Sequence, residues 1–236
     1  MTHLYEPDDE GGKAGDTGSA THVAVAEFHR GKGGAECLAA MQSRIAEYPK
    51  ADLQDAAGMF LKYASDPVNR DATVVLVEEA VRFRIKAHES DPTGAEIEVE
   101  GRVDQVRQER GSDYVWDLKT SKKDPTTVLA ATVHQMAGYC IGASIKLGRP
   151  VHPGGVIMPR QKNMMHHYPW RFQDIEQILL GVRVAVANIR RGILWHVPND
   201  GCIWCAAKSP DACLPVLHQL NKELLACVVA SDSSTP

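Results

Sequence analysis

The chain has 236 residues, of which 44% are hydrophobic and 24% are charged, and its formal net charge at pH 7 is −4. This length and composition predict a soluble globular protein with one sizeable core. Apolar runs stay shorter than the roughly 18 residues that span a bilayer, so a membrane protein is not expected. The net negative charge is unlike that of a dedicated DNA-binding protein, so any nucleic-acid contact requires a local basic surface.

The first part of the chain is predicted to be mainly helical. Gly and Asp are frequent in residues 1–17, which predicts a flexible lead-in. Helical patterns follow at about 18–30, 35–47 and 52–65, and an apolar run near 73–86 predicts the first strand.

A β-hairpin is predicted next. Its strands are Glu96–Val106 and Tyr114–Leu118, and Glu109–Asp113 supplies the turn. Because side chains alternate between the faces of a strand, Asp104 points away from an apolar row in the same strand, made of Ile97, Val99 and Val103. The carboxylate of Asp104 is therefore available for chemistry outside the core.

The second strand of the hairpin adds a further carboxylate and an ammonium group. Asp117 and Lys119 are two residues apart, so they share a face at a separation of roughly 6.6 Å. Carboxylate oxygens suit Mg²⁺ or Mn²⁺, and an ammonium group beside them can stabilise charge on an attacked phosphate. The alternative is that the two acids are solvated strand residues and that the lysine is their surface salt-bridge partner.

A long helix is predicted over 125–147. Its limits are an N-cap, a proline in the first turn and a C-terminal glycine, namely Asp124, Pro125 and Gly148. Gln135 and Tyr139 are four residues apart and share one face, where an amide and a phenol can bind phosphate oxygens or water. The alternative is that Tyr139 packs in the core and that Gln135 covers the edge of that core.

The remaining elements are a second strand pair near Val156–Trp170 and a helix at about 173–193, followed by a loose tail at 231–236. Helices on both sides of a central mixed sheet make the predicted fold α/β, and no linker divides residues 18–230 into separate domains. Basic and aromatic side chains are concentrated in the second strand pair and predict either a nucleic-acid surface or an ordinary solvated hairpin. These residues are Arg160, Lys162, His166, His167, Tyr168, Trp170 and Arg171.

Four short motifs occur in one order along the chain: GSATH at 18–22, GRVD at 101–104, DLK at 117–119 and QMAGY at 135–139. In this order they resemble the PD-(D/E)XK nuclease superfamily, specifically the branch that contains the RecB nuclease domain, Cas4 proteins, the AddB nuclease and many bacteriophage exonucleases. The resemblance implies a restriction-endonuclease-like core with a cysteine-containing segment at its C-terminal end.

The resemblance also implies roles for individual residues. His22, Asp104 and Asp117 correspond to metal ligands, Lys119 to the catalytic lysine, and Gln135 with Tyr139 to a helper pair in catalysis. Either Glu78 or Glu79 is similar to a glutamate that phage relatives often carry before the first active-site strand. Its expected role is structural or a supporting contact behind the ligands.

Three cysteines follow the last helix in a C-x2-C-x7-C pattern, at Cys202, Cys205 and Cys213. No secretory leader is recognised, so a metal is favoured over a disulfide. In Cas4 and AddB relatives such cysteines join one upstream of the histidine motif to hold a [4Fe–4S] cluster. Here no cysteine precedes the histidine motif, which leaves a fourth ligand from elsewhere, a truncated N-terminus, Zn²⁺ or unmetallated thiols as alternatives. The other cysteines, each also readable as a small buried hydrophobic residue, are Cys37, Cys140 and Cys227.

The expected function is therefore a Mg²⁺- or Mn²⁺-dependent DNA nuclease, an exonuclease of recombination or repair encoded by a phage or prophage. Its substrate is expected to be single-stranded DNA or duplex ends, in the cytoplasm of a bacterium or an infected host cell. A homo-oligomer or a recombination partner protein is compatible with this function. The alternatives are a Cas4-like nuclease of CRISPR adaptation and a non-catalytic nucleic-acid-binding module on the same fold.

Overall fold

The structure is a computed structural model, and it describes residues 12–191. Residues up to 187 of this range belong to one compact unit, and residues 188–191 belong to a second unit. The predicted tail and the cysteines after residue 191 lie outside the described residues. The single domain predicted over 18–230 extends beyond the described range and stays a prediction.

The described chain contains six α-helices and five strands. The helices are α1 (Lys13–His29), α2 (Gly34–Ser43), α3 (Leu53–Ser65), the short α4 (Pro67–Arg70), α5 (Pro125–Leu147) and α6 (Ile175–Arg190). The strands are β1 (Thr73–Ile85), β2 (Ile97–Glu109), β3 (Ser112–Leu118), β4 (Val151–Ile157) and β5 (Met165–His167). The sheet order is β1-β2-β3-β4-β5, in which β3 and β4 are parallel and the other neighbours are antiparallel. The predicted α/β class with a mixed central sheet is confirmed.

The sheet separates two hydrophobic clusters, and the side chains of β3 alternate between them. Trp116 and Leu118 pack with α1, α2 and α3, whereas Val115 packs with α5 and α6. This alternation is the pattern of a strand that is buried on both faces. The outcome is a three-layer arrangement in which functional side chains at the end of β3 are reached from α1 and from α5.

Helix α5 makes the parallel connection between β3 and β4. The Asp124 side chain accepts a hydrogen bond from the Thr126 N–H at 2.9 Å, and Gly148 ends the helix with φ of 65°, as the sequence predicts. By length and composition alone α5 is apolar enough to cross a membrane, as the core helices of other proteins are. Its apolar face, including Met136 and Cys140, packs against the strands of the sheet.

Helix α1 begins at Lys13, so the predicted lead-in of residues 1–17 is wrong for its last residues. Contacts with the start of α3 explain the difference. Lys13 pairs with Asp52 at 2.8 Å, and the buried Thr17 hydroxyl accepts a hydrogen bond from the Asp52 N–H at 2.9 Å. These contacts are made between residues far apart in the chain, which local composition does not reveal.

The turn between β2 and β3 is tighter than the sequence predicts. It consists of Arg110 and Gly111, which have φ angles of 50° and 83°. Two positive φ angles at the centre of a two-residue loop match the turn whose twist fits a hairpin. The strands are therefore longer than predicted, and their main-chain ladder runs from the Glu109–Ser112 pair to the Gln105–Trp116 pair.

Candidate active site

The candidate site lies where β2 and β3 separate. Their ladder stops at the Gln105–Trp116 pair, so Asp104 and Asp117 are the next residues on either side of the gap. Asp104 Oδ2 accepts a hydrogen bond from the Leu118 N–H at 2.7 Å, which satisfies a main-chain donor that the ladder leaves unpaired. The opening of the hairpin therefore places two carboxylates next to each other.

Strand β1 contributes Glu78 to the same place. The pairs Val77–Gln105 and Glu79–Val103 put Glu78 opposite Asp104. Glu78 has a φ of 50°, which is uncommon for a residue other than glycine and is typical of functional sites that the surrounding structure holds in place.

In β2, the regular alternation of side chains between the two faces of the sheet also breaks at Asp104. Val103 and Val106 both pack in the cluster under α5, whereas the Gln105 side chain contacts Tyr63 of α3 on the other face. Strict alternation would place Val103 and Val106 on opposite faces. The irregular backbone of both strands thus directs acidic side chains toward α1.

Helix α1 supplies His22. Its Nε2 lies 3.0 Å from the Leu118 carbonyl oxygen, and its Nδ1 lies 3.2 Å from Glu78 Oε1 and 3.6 Å from Asp104 Oδ1. Because a carbonyl oxygen only accepts hydrogen bonds, the hydrogen on Nε2 is donated to Leu118 and the Nδ1 edge faces the two carboxylates. Gly18 permits this approach, since a Cβ there would lie 2.7 Å from Thr120 Oγ1.

His22, Glu78 and Asp104 each offer one ligand atom, and these atoms lie within 4.8 Å of one another. Two carboxylates and an imidazole form a donor set that suits Mn²⁺ and that Mg²⁺ tolerates. The sequence interpretation selected His22 and Asp104 but gave Glu78 a structural or supporting role. Asp117, the third predicted ligand, is not a member of this group, and its role as a ligand stays a prediction.

The electrostatics of this group favour a bound positive charge. Burial lowers the pKa of His22, but Asp104, Glu78 and Asp117 together outweigh burial and raise it to about 9. Burial raises the pKa of Asp104 above its usual range, against the opposing effect of His22. A proton therefore resides among these side chains near neutral pH, in a position that a divalent cation can take instead.

On the other side of the gap, Lys119 pairs with Asp117. The Lys119 ammonium lies 2.8 Å from Asp117 Oδ2 and donates a hydrogen bond to Gln135 Oε1 at 3.4 Å. The two side chains thus lie side by side, as their spacing predicts, although Lys119 lies one residue beyond the end of β3. Asp117 Oδ2 is buried and has no hydrogen bond of good geometry within the described chain, so it retains a lone pair for a cation.

Gln135 and Tyr139 of α5 hold the Asp117 side of the site. Gln135 Nε2 donates hydrogen bonds to Asp117 Oδ1 at 3.2 Å and to the Tyr139 hydroxyl oxygen at 2.8 Å. Burial raises the pKa of Tyr139 to about 12, so the phenol stays protonated. A Cβ at Gly101 would lie 2.9 Å from Tyr139 Cε1, so the glycine allows the aromatic ring to lie directly on β2.

A cleft of about 980 Å³ opens onto these side chains. Helices α1 and α2 line one part of it, and His22, Glu78, Arg102 and Lys119 line another. The nucleophile and the substrate of a hydrolytic reaction can enter the cleft from solvent.

For two residues of the second strand pair, the structure disfavours the nucleic-acid surface that was one of the two predicted alternatives. The Arg160 guanidinium forms an ion pair with Asp55 and donates a hydrogen bond to the Thr120 carbonyl oxygen at 2.7 Å. Tyr168 is buried, and its hydroxyl contacts that of Thr132. Both side chains are engaged within the protein, so neither is free to hold phosphates or stacked bases.

Two of the cysteines lie within the described residues. Cys37 and Cys140 are buried in the two separate hydrophobic clusters, and burial raises the pKa of both thiols. A raised pKa disfavours the thiolate that a metal requires, so these residues match the reading as small buried hydrophobic side chains. Cys202, Cys205, Cys213 and Cys227 lie outside the described residues, and the predicted iron–sulfur or zinc site stays a prediction.

A sequence profile of the PD-(D/E)XK nuclease superfamily matches residues 2–210, and the chain belongs to this superfamily. Membership assigns the protein to the metal-dependent nucleases, whose substrate is nucleic acid. Among solved structures 7 chains match, including the crystal structure of SSO0001, with 17% identity, a TM-score of 0.34, and coverage of 72% of this chain and 74% of that chain. A search of curated proteins gives no match.

Proposed function

We propose that this protein is a Mg²⁺- or Mn²⁺-dependent deoxyribonuclease that digests DNA from its ends. The observation that carries the proposal is the convergence of His22, Glu78 and Asp104 beside an ion pair between Asp117 and Lys119. The side chains that can bind a divalent metal, and the Lys119 ammonium that can contact phosphate, thereby face one cleft. A solvated surface salt bridge, the alternative for Asp117 and Lys119, does not account for a carboxylate that is only 2% exposed.

His22, Glu78 and Asp104 would hold the divalent cation, and Asp117 Oδ2, which is paired with the Lys119 ammonium, would be a further ligand. Such a cation, when bound, lowers the pKa of water and neutralises charge on the phosphate. Lys119 donates hydrogen bonds to a non-bridging phosphate oxygen and stabilises the negative charge that develops there.

The helper pair, Gln135 and Tyr139, fixes the positions of the Asp117 and Lys119 side chains. Gln135 holds Asp117 and accepts from Lys119, and Tyr139 accepts from Gln135. The chain of contacts fixes the ammonium group relative to the carboxylates before the substrate binds, which is the preorganisation that electrostatic catalysis requires.

The order of the four motifs supports a place in the RecB, Cas4 and AddB branch, with a role in recombination or repair in a bacterial or phage-infected cytoplasm. The C-terminal cysteines are part of this proposal as a clamp that holds a [4Fe–4S] cluster or Zn²⁺. Anaerobic purification tests the clamp, because a brown protein contains iron–sulfur and a colourless protein with bound zinc excludes it.

End-labelled single-stranded and double-stranded DNA test the proposed activity. With Mn²⁺, we expect label to be released as short products from the ends, and with EDTA we expect none. Interior cleavage of a circular substrate would overturn digestion from ends. Absence of cleavage with both Mn²⁺ and Mg²⁺ would overturn the nuclease and favour a non-catalytic nucleic-acid-binding module.

Metal binding is expected to strengthen with pH. The pKa of His22 is about 9, so His22 is protonated at pH 7 and Mn²⁺ must displace that proton. The apparent affinity for Mn²⁺ should therefore rise between pH 7 and pH 9, by up to about tenfold per pH unit for one displaced proton. Calorimetric titrations in buffers of different ionisation enthalpy count the released protons, and an affinity that is constant over this range would contradict the prediction.

A pair of neighbouring glutamates tests the ligand set in the same titrations. Glu78→Gln should weaken Mn²⁺ binding by about 10- to 100-fold, because it removes a carboxylate next to His22. Glu79→Gln is the matched control, since Glu79 forms an exposed ion pair with Lys146. Equal affinities in the two variants would remove Glu78 from the proposed ligands.

Gly101→Ala should lower the rate of DNA cleavage by about 10- to 100-fold without unfolding the protein. The new Cβ displaces the Tyr139 ring and with it the contacts of Gln135 to Asp117 and Lys119. The measurement is single-turnover cleavage together with thermal unfolding. Gly58→Ala in α3 is the control, because nothing lies within 4 Å of its added Cβ. An unchanged rate in Gly101→Ala would show that the ring position does not matter for catalysis.

A further inference from the structure

We infer that Arg102 binds a phosphate of the nucleic-acid strand next to the one that is cleaved. The inference rests on the proposed function and names a residue that positions the substrate of that reaction. Arg102 lies two residues before Asp104 in β2, and its side chain is exposed. It lines the cleft that also contains His22, Glu78 and Lys119.

The other basic side chains at the α1–α2 end of this cleft are already paired. Arg30 and Lys32 share the carboxylate of Glu27, with contacts of 2.7 Å and 2.5 Å. Arg44 places two guanidinium nitrogens 2.8 Å and 2.6 Å from the two oxygens of Glu47. Each of these three cations thus already contacts a carboxylate of the protein, although Arg30 and Lys32 have one carboxylate between them.

Arg102 differs from these residues. Its side chain is exposed, and among residues 12–191 it has neither a carboxylate partner nor a hydrogen bond. The cross-strand partner of Arg102 is Ala80, which offers no polar side chain. A guanidinium without a carboxylate partner thus lines the same cleft as His22 and Glu78, two of the proposed metal ligands.

The chemistry of the guanidinium selects phosphate as the ligand. Its planar set of N–H donors contacts two phosphate oxygens at once and keeps its charge at every pH of interest. The reacting phosphate lies next to the Lys119 ammonium and the carboxylates of Glu78 and Asp104. These groups are found beyond Arg102, toward the C-terminal end of β2. A continuous strand that reaches these groups through the cleft passes Arg102 with an adjacent phosphate.

Fluorescence anisotropy with a labelled single-stranded oligonucleotide in EDTA tests the inference without cleavage. Arg102→Ala should bind about tenfold more weakly. The slope of log K against log salt should decrease by about 0.7, the value for one phosphate contact to a single strand. Arg102→Lys should keep the slope and lose part of the affinity, because lysine supplies the charge without the paired donors. Under cleavage conditions the loss should occur in KM rather than in kcat.

Arg70→Ala is the matched control, because Arg70 is an exposed arginine that pairs with Asp71 and does not line the cleft. Its affinity, salt slope and cleavage rate should equal those of the unmodified protein. If Arg102→Ala binds as tightly as Arg70→Ala with the same slope, the inference is wrong, while Mn²⁺-dependent cleavage by the unmodified protein still upholds the proposed function. If the unmodified protein neither binds nor cleaves nucleic acid, both are wrong.

Discussion

Replacing Lys119 with alanine should reduce Mn²⁺-dependent DNA cleavage by about 10³-fold. The Lys119 ammonium is the cationic side chain that contacts Asp117 at the gap between β2 and β3, and alanine offers no donor to a charged phosphate. The Lys119 side chain is 27% exposed, so its removal leaves no sealed cavity in the core. Loss of activity is therefore expected in a protein that remains folded.

Single-turnover cleavage and thermal unfolding of the same preparation measure the two parts of this expectation. Lys122→Ala is the control, since Lys122 is exposed three residues later in the chain and carries the same charge. Binding of single-stranded DNA in EDTA should be reduced far less than cleavage, because Lys119 acts mainly on charge that develops during the reaction. Comparable cleavage rates in Lys119→Ala and Lys122→Ala would refute the catalytic assignment.

The parts of the site that depend on local sequence were predictable. Asp117 and Lys119 are two residues apart at the end of β3, and Gln135 and Tyr139 are one helical turn apart, so their spacing alone predicts which side chains meet. The limits of α5 were equally predictable, because an N-cap, a proline and a terminal glycine act within a few residues of the helix ends.

The role of Glu78 was not predictable in the same way. It depends on the pairing register between β1 and β2, and that register changes at an irregularity between Val74 and Leu76. Adjacent glutamates at 78 and 79 look equivalent in the sequence, and only the positive φ at Glu78 turns its carboxylate toward His22. A register set by tertiary packing carries little signal in a single sequence.

The separation of β2 and β3 at Asp104 was also missed. Regular hairpin pairing would continue past Gln105 and Trp116, but the Asp104 carboxylate takes the Leu118 N–H instead. Because the Asp104 side chain takes the place of a main-chain acceptor, the ladder of hydrogen bonds between β2 and β3 ends where the site begins. Short-range propensity does not distinguish such an aspartate from one in a continuous strand.

A buried arginine behind the site is a further feature that the sequence did not indicate. Arg107 is 1% exposed and donates hydrogen bonds to Gln105 Oε1 at 2.8 Å, Asn69 Oδ1 at 2.7 Å and the Tyr63 hydroxyl oxygen at 2.9 Å. Its guanidinium also lies 5.7 Å from the centre of the Trp116 ring. Within residues 12–191 no carboxylate pairs with it, so neutral acceptors and an aromatic ring compensate the charge.

Tyr63 is the centre of this network. Its hydroxyl donates to Gln105 Oε1 at 3.2 Å, accepts from Arg107, and lies 2.6 Å from His29 Nε2. Burial first, and the charge of Arg107 second, lower the pKa of His29 to about 4, so His29 is neutral at pH 7. A neutral imidazole with its hydrogen on Nε2 donates to Tyr63, and every hydrogen-bonding site of the hydroxyl is then used.

Tyr63→Phe should therefore lower the free energy of unfolding by about 2 to 4 kcal/mol. The substitution keeps the aromatic ring in the core. It removes the hydroxyl that accepts a hydrogen bond from the buried Arg107 and that also bonds to His29 and Gln105. Urea unfolding at pH 7 measures the loss. Tyr114→Phe is the control, because the Tyr114 side chain has a ring contact with His152 but its hydroxyl has no hydrogen bond in the described part of the chain. Similar stabilities of the two variants would mean that water solvates Arg107 in place of the tyrosine, and that the network contributes little to the fold behind the site.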